Sequence, residues 1–428
     1  MSETIASIAT PAGEGGISVI RLSGARSLAI ASSLFQSLSG ADLQHCVPQK
    51  VIFGKILDPQ SLACVDEVLL TYFKAPKSYT AEDVVEVSTH GGLFVTSKIL
   101  QLLLDQGARL AEPGEFTRRA FLNGRMDLSQ AEAVTDVIHA SSERALKSAV
   151  AQLQGNLSIK LNGWYDSLLA VLAQLEASID FSEEGLKFQK REETLAEVKR
   201  IQVDLETLIR TYRQGKIFRE GVQVALVGKP NVGKSSLLNA LLKEDRAIVT
   251  PMPGTTRDTL EERVRIRDIH INIIDAAGLR EDPEIIEKEG IKRACEAIAR
   301  ADLALVIFDG SGPLDRNDHL LIEEVQGKPK QIVLNKNDLP QKLEESTLQS
   351  LFPGETALRI SARDGTGVDE LCDAIYQFAM GDGSLKETLV ITRERHRQCL
   401  VEANMALQKS CDSFQQNLSE EFVAVDVS

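Results

Sequence analysis

The sequence predicts an α/β plus all-α chain. An N-terminal α/β domain is followed by a helical domain, and a second α/β domain is inserted into the helices. Three shifts of pattern along the 428 residues predict this. β-rich runs fill the first part, and Ala/Leu/Glu/Gln-rich sequence with apolar residues three and four apart runs from Arg119 to about Phe218. Apolar strands then alternate with helices to about Met380, after which helical spacing returns. The expected divisions are 1–118, 119–218, 219–380 and 381–428.

In order, "GGISVIRLSG", "KVIFGKIL", "CVDEVLLTYF" and "DVVEVSTHGG" read as strands, being β-rich runs bounded by Gly, Pro or Ser. "LFVTSKILQLLLDQGA" has helical spacing and stops at Gly107. The "GEGG" near the start precedes a strand, so it is no dinucleotide fingerprint. "DSLLAVLAQLEASI" carries the apolar spacing of a helical bundle. The basic run "RTYRQGKIFREG" reads as a linker into the insert. There, "VQVALVG", "INIIDAAG", "LALVIFDG", "KQIVLNKND" and "TALRISA" are strands separated by helices, a pattern that predicts a largely parallel sheet covered on both faces.

Composition narrows the function. A net charge of −14 argues against a generic nucleic-acid-coating surface, since such affinity comes from Lys and Arg. The start, "MSETIASIATPAG", lacks the basic flank and apolar core of a secretory signal, and no apolar run approaches the roughly 20 residues of a membrane span. The six cysteines are scattered without a C-x-x-C pair, so free thiols in a reducing cytoplasm are expected.

The chemistry concentrates in the insert. "GKPNVGKSS", Gly228 to Ser236, joins a strand to a helix and has the form of a phosphate-binding loop. Gly228 and Gly233 let its N–H groups turn toward phosphates, Lys234 adds charge at the β- and γ-phosphates, and Ser235 offers a hydroxyl to Mg²⁺. Asn231, Val232 and Ser236 complete the loop. Asp275 and Gly278 of "DAAG" end a second strand, placed for Mg²⁺ through water and for the γ-phosphate. Asn335, Lys336 and Asp338 of "NKND" end a third; an ionised Asp338 accepts from both the guanine N1–H and its 2-amino group. Ser361 and Ala362 of "ISA" end a fourth, with a backbone N–H for the guanine carbonyl. Each motif is common alone. Four in this order, each at a strand's C-terminal end, specify GTP, and the domain resembles the Ras-like, translation-factor-related GTPases.

Hydrolysis needs a positioned water. Ras-type switches place a glutamine directly after D-x-x-G, but here that residue is Leu279. Glu281, Asp282, Glu284 and Glu287 follow, and the residues alone do not choose among them. "TPMPGTTRD", Thr250 to Asp258, lies where a first switch belongs, with Thr256 placed to close on Mg²⁺.

Over nearly its whole length the chain resembles the MnmE (TrmE) family of bacterial tRNA wobble-uridine modification GTPases. The resemblance rests on "ATPAGEGGISVIRLSG", "AEDVVEVSTHGG", "AEPGEFTRRAFLNGRMDLSQAEAV", the loop with Asn231, "PGTTRD" and the inserted position of the GTPase. It implies a K⁺-activated GTPase working by G-domain dimerisation, with K⁺ held by Asn231, Thr250, Met252 (through its backbone) and Thr255. It implies Mg²⁺ on Ser235 and Thr256, and Glu287 as the catalytic residue acting on water. Thr250, Thr255 and Thr256 thereby also border GTP. Ala276 stands where the family usually has Thr. For the N-terminal domain the resemblance implies a constitutive homodimer binding 5-formyltetrahydrofolate or a related folate through Arg21, Glu86 and Arg125. From composition, Arg21 and Glu86 read only as strand residues on a polar face, and Arg125 as a helix-start charge.

The resemblance further implies a flavin-dependent partner, MnmG (GidA), in a heterotetramer. Together they would build a carboxymethylaminomethyl group at C5 of the wobble uridine of tRNA, in the cytoplasm and away from membranes. The family's C-terminal C-I-G-K motif, whose thiol serves modification, has no counterpart before the end at "EEFVAVDVS". GTP hydrolysis and folate binding are expected to survive without it, whereas tRNA modification is the activity that the motif serves. Cys399 and Cys411 fall within helical spacing and are expected to pack. A ribosome-assembly or RNA-binding GTPase switch of the Era or Der type would predict an appended basic RNA-binding module, and a dynamin-like GTPase a membrane-binding segment. Neither is visible.

Overall fold

The computed structural model describes residues 3–38, 40, 42–180, 191–244, 262–274, 295–381 and 389–416. They form two compact units: 3–135 with 153–158, and 136–152 with the described residues from 159 onward.

The first unit is built on a seven-stranded sheet. Strands β1 (Ile5–Ile8), β2 (Gly15–Ser23), β3 (Phe35–Ser37), β4 (Val51–Leu57), β5 (Cys64–Phe73), β6 (Val84–Gly91) and β7 (Arg109–Leu110) lie in the order β3-β4-β5-β6-β2-β1-β7. All neighbours are antiparallel except β1 and β7. Alternation along the strands puts Ile20, Leu22, Leu70, Val85 and Val87 into one core. Helix α1 (Ser27–Ser32) and helix α2 (Leu93–Asp105) cover it with Ile30, Ile99, Leu102 and Leu103. Helix α3 (Glu115–Leu122) follows β7, and α4 (Leu128–Ile138) follows a turn. The long strands match the sequence reading. The two-residue β7 and four-residue β1 carry too little alternation to be read in advance.

The second unit contains long helices and a six-stranded sheet. The helices α5 (Glu143–Leu153), α6 (Asn156–Asp180), α7 (Arg191–Arg210) and α8 (Tyr212–Glu220) precede the sheet. Its strands are β8 (Val222–Val227), β9 (Glu262–Ile266), β10 (Ile269–Ile274), β11 (Leu303–Asp309), β12 (Lys330–Asn335) and β13 (Ala357–Arg359), in the order β13-β12-β11-β8-β10-β9. All pairs are parallel except β9 on β10. Val222, Val224, Leu305, Ile307 and Val333 face one core, and Ala225, Val227, Val306, Phe308, Ile332 and Leu334 the other. Strands apolar on both faces need helices on both. One side receives α9 (Lys234–Glu244) and α12 (Val368–Met380), through Leu237, Leu241, Leu371 and Ile375. Across the other lie α10 (Arg316–Glu324) and α11 (Glu345–Leu351), through Leu321, Ile322 and Leu348.

The sheet is an insertion. Helix α13 (Glu394–Gln415), beyond the sheet in sequence, returns to pack on α7, where Gln202 meets Gln408 and Cys411 lies 3.6 Å from the Gln202 amide oxygen. Chain entering and chain leaving meet as well: the Ile391 N–H donates to Thr211 Oγ1 at 3.1 Å, and Arg219 to the Thr392 carbonyl at 3.1 Å.

Two expectations need correction. The run "RTYRQGKIFREG" is not a plain linker but mostly helix α8, with Gln214, Gly215 and Ile217 buried. A Cβ on Gly215 would lie 2.2 Å from the Ile391 carbonyl oxygen, so the glycine permits close packing rather than a break. Cys411 packs as expected, but Cys399 is exposed, because helical rotation turns it away from the buried Leu400 face. No helix among the described residues is long and apolar enough to cross a membrane.

Candidate functional site

In an open parallel sheet, ligands bind beyond the strands' carboxyl ends, where the strand order reverses. Here the chain leaves β8 for β10 on one side and later returns to β11 on the other, so that point is the C-terminal end of β8. The loop Gly228 to Gly233 begins there and runs into α9.

Both ends of this loop are pinned. A Cβ on Gly228 would lie 2.7 Å from the Ile307 carbonyl oxygen, so only glycine lets the loop leave so close to β11. Gly233 has φ +102°, and a Cβ there would meet Asn335 Nδ2 at 2.2 Å. Between them Asn231 is left-handed too, at φ 63°, a conformation that asparagine tolerates. Asn231 is exposed, and its amide has no hydrogen-bond partner among the described residues. Val232 is buried, while Ser235 and Ser236 stand exposed on the first turn of α9. Lys234 folds back over the loop: Nζ donates to the carbonyls of Gly228 at 2.5 Å and Lys229 at 2.9 Å.

Burial pulls the Lys234 ammonium down to about 8. If phosphates bind here, they favour the charged form and raise it again. Below pH 8 the lysine of the free protein already carries its proton, so nucleotide affinity is flat. Above it, binding must take up a proton, and affinity falls by up to about tenfold per pH unit. Titrating a fluorescent GDP analogue between pH 7 and 9 checks this; a dissociation constant unchanged to pH 9 contradicts it.

The "NKND" and "ISA" residues converge on the same edge. Asn335 is 2% exposed and works as a brace: Nδ2 donates to the Val232 carbonyl at 2.7 Å, and Oδ1 accepts from the Ala362 N–H at 3.0 Å. The N–H expected to meet a base is thus already held by Asn335. Lys336 is left-handed at φ 64°, with Nζ 2.7 Å from Asp309 Oδ2. The buried Ser361 donates to Asp338 Oδ1 at 2.9 Å, leaving Oδ2 at the surface 4.0 Å from Arg363.

Asp309 was not singled out from sequence. It is opposite Asn335 in the parallel register, so its carboxylate meets the lysine one residue on. The "FDG" that ends β11 was the available signal. Thr250, Met252, Thr255, Thr256, Asp275, Gly278, Leu279, Glu281, Asp282, Glu284 and Glu287 lie outside the described residues.

The first unit holds a separate cluster. Arg21 on β2 and Glu86 on β6 are direct register partners, joined by bonds of 2.7 and 2.8 Å to Glu86 Oε1. The Arg21 guanidinium lies 4.9 Å from the Tyr79 ring centroid and 5.7 Å from that of Phe116. The Arg125 guanidinium lies 5.4 Å from the same Tyr79 ring. The structure therefore brings the three residues together around Tyr79, which sequence reading missed. Arg125 sits in the turn between α3 and α4 rather than at a helix start.

A buried charge network fixes the walls. Ser23 donates to Glu82 Oε2, which also accepts from Arg119; Arg119 and Arg109 both hold Glu115. Burial would raise the Glu115 carboxyl, but bonds from Arg109, the Glu112 N–H and Arg119 outweigh it and bring it down to about 2. Tyr79 is tied to Thr117 of α3 by a 2.8 Å hydroxyl pair. Two guanidinium groups, one carboxylate and two rings suit a flat heteroaromatic ligand with polar edges and an acidic tail.

Two family models match: "GTP-binding protein TrmE N-terminus" over residues 4–125 and "MnmE helical domain" over residues 128–428. The tRNA modification GTPase MnmE of Thermoanaerobacter pseudethanolicus is 44% identical, over 100% of this chain and 93% of its own length. That of Enterococcus faecalis is 43% identical, over 100% and 92%. Among solved structures, the G domain of the T. maritima FeoB iron transporter is 29% identical over 37% of this chain and 98% of its own, with a TM-score of 0.28.

Proposed function

The chain belongs to the MnmE (TrmE) family of tRNA modification GTPases, and from that premise we propose that it is a K⁺-activated GTPase serving the wobble uridine of tRNA. It is an enzyme that hydrolyses GTP to GDP and phosphate. The observation that carries the finer reading is Asn231: a left-handed, exposed amide without a hydrogen-bond partner among the described residues, on a loop pinned at both ends. Phosphate binding uses the loop's N–H groups and Lys234 and leaves that amide oxygen free for a cation.

In this reading the loop N–H groups and Lys234 cradle the β- and γ-phosphates. Ser235 and Thr256 would hold Mg²⁺, Asp275 would reach it through water, and the Gly278 N–H would meet the γ-phosphate. Asn231, Thr250, Met252 and Thr255 would hold K⁺. When bound, potassium supplies the positive charge that other GTPases receive from an arginine finger, a substitution worth about 10³–10⁵ in rate. Glu287 orients the attacking water. Asp338 reads guanine, Asn335 and Lys336 border it, and Ser361 and Ala362 close the far side, with Ala362 sharing its N–H between Asn335 and the base.

The divisions 1–118, 119–218, 219–380 and 381–428 are proposed as the working domains. The insert dimerises to complete catalysis, and the first domain binds 5-formyltetrahydrofolate or a related folate and forms the standing homodimer. A flavin-dependent partner, MnmG, joins in a heterotetramer in the cytoplasm, the product being a carboxymethylaminomethyl group at C5 of uridine. GTP turnover by the whole chain in KCl against NaCl tests the reading.

The folate proposal has its own test. Arg21→Ala removes the guanidinium that this reading offers to the folate, and one charge-assisted hydrogen bond to a ligand is worth about 1.5–3 kcal/mol. Calorimetric titration with 5-formyltetrahydrofolate is expected to show a tenfold to hundredfold weaker complex. An unchanged affinity contradicts the assignment.

A further inference from the structure

We infer that Lys229, with Asp315 and Asp318, is a positioning clamp for the phosphate-binding loop. The inference rests on the reading of Asn231 given above. Lys229 is the second residue of the loop, and its backbone and side chain do different things. Its carbonyl accepts from Lys234 Nζ at 2.9 Å, so its place decides where the phosphate-binding lysine rests. Its own Nζ turns away to two carboxylates, Asp315 Oδ2 at 2.9 Å and Asp318 Oδ2 at 2.8 Å.

Those carboxylates are themselves fixed. They form the capping box of α10: Asp315 Oδ1 accepts from the N–H groups of Asn317 and Asp318, and Asp318 Oδ2 accepts from the Asp315 N–H at 3.0 Å. Asp318 is 1% exposed, so its charge is held between a helix N-terminus and one ammonium. Burial alone would lower the Lys229 ammonium, but the bonds to Asp318 and Asp315 outweigh it and hold it raised.

The loop thus has three anchors. Gly228 is pressed on the β11 backbone, Gly233 on the Asn335 amide, and Lys229 is tied to the start of α10. Asn231 stands two residues beyond Lys229 and two before Gly233. Its amide oxygen is aimed by these anchors and by no side-chain bond of its own among the described residues. The clamp also keeps the Lys229 charge on its carboxylates rather than beside a site meant for a cation.

Lys229→Met alone would strand the buried Asp318 charge and could unfold the insert. The test therefore uses the double variant Lys229→Met/Asp318→Asn, which removes both charges and keeps a side-chain acceptor for the Asp315 N–H, alongside Lys229→Arg. We expect the double variant to melt within a few degrees of wild type and bind GDP within about threefold. Its kcat in KCl falls about tenfold, and the K⁺ concentration for half-activation rises several-fold. Lys229→Arg restores both to within about twofold. A folded double variant with wild-type kcat and K⁺ midpoint overturns the clamp, as does a Lys229→Arg protein no better than the double variant. If the wild type hydrolyses GTP equally in KCl and NaCl, the potassium reading fails by itself. The clamp is then judged on kcat, where an unchanged value still overturns it.

Discussion

Asp338→Asn is expected to lower affinity for GTP by about 10⁴–10⁵-fold, the scale on which a site built for particular hydrogen bonds rejects a partner that cannot make them. The carboxylate follows β12 by three residues and is held from one side by Ser361, whose hydroxyl donates to Oδ1 at 2.9 Å. In the proposed base contact, both the guanine N1–H and the 2-amino group donate to this carboxylate. An Asn in its place offers one acceptor and one donor, so an N–H would face the 2-amino group and leave both unsatisfied. Xanthosine triphosphate, with a carbonyl at that position, accepts from the new amide and is expected to recover binding. Competition against a fluorescent guanine nucleotide reads both effects. If the variant keeps wild-type preference for GTP over xanthosine triphosphate, Asp338 is not the reader of the base.

Asn231→Ala has the second large effect. It removes an amide oxygen that has no hydrogen-bond partner among the described residues. Turnover in KCl should fall by about 10³–10⁵-fold, the whole of the gain proposed for the ion, to the rate seen in NaCl. Alanine is less tolerant than asparagine of the left-handed conformation at φ 63°, which costs about 1–2 kcal/mol. That strain would show in GDP affinity too, so GDP binding serves as the control. A loss of K⁺ response with GDP affinity held within tenfold assigns the effect to the amide oxygen. A variant that still responds to K⁺ removes Asn231 from the ion's ligands.

Much of the fold was legible because its signals are local. Strands β5, β8, β11 and β12 are apolar runs with sharp ends, and α2 stops at Gln106–Gly107. Strand β9, "ERVRI", was missed: it alternates charge with apolar residues at the sheet edge, and five residues of that kind resemble a loop. Helix α8 was read as a linker because its charges are local, whereas its reason to be helical lies in Ile391, far along the chain.

The site divides the same way. The phosphate loop, "NKND" and "ISA" announce themselves by spacing, and the structure gathers their described residues at one edge of the sheet. The ties between them do not announce themselves. Asn335 to Val232, Lys336 to Asp309 and Lys229 to Asp318 join residues 27 to 103 positions apart. No periodicity records such pairs; only the sheet order brings them together. In the first unit, Arg21 and Glu86 needed the β2–β6 register to become a pair, and Tyr79 needed both arginines to become a wall.

The central claim is that hydrolysis by this chain depends on a potassium ion held at Asn231. GTP turnover by the intact protein, with Mg²⁺ and equal ionic strength of KCl or NaCl, tests it most directly. The account predicts strong stimulation in KCl and only basal turnover in NaCl. Equal rates in the two salts would contradict it.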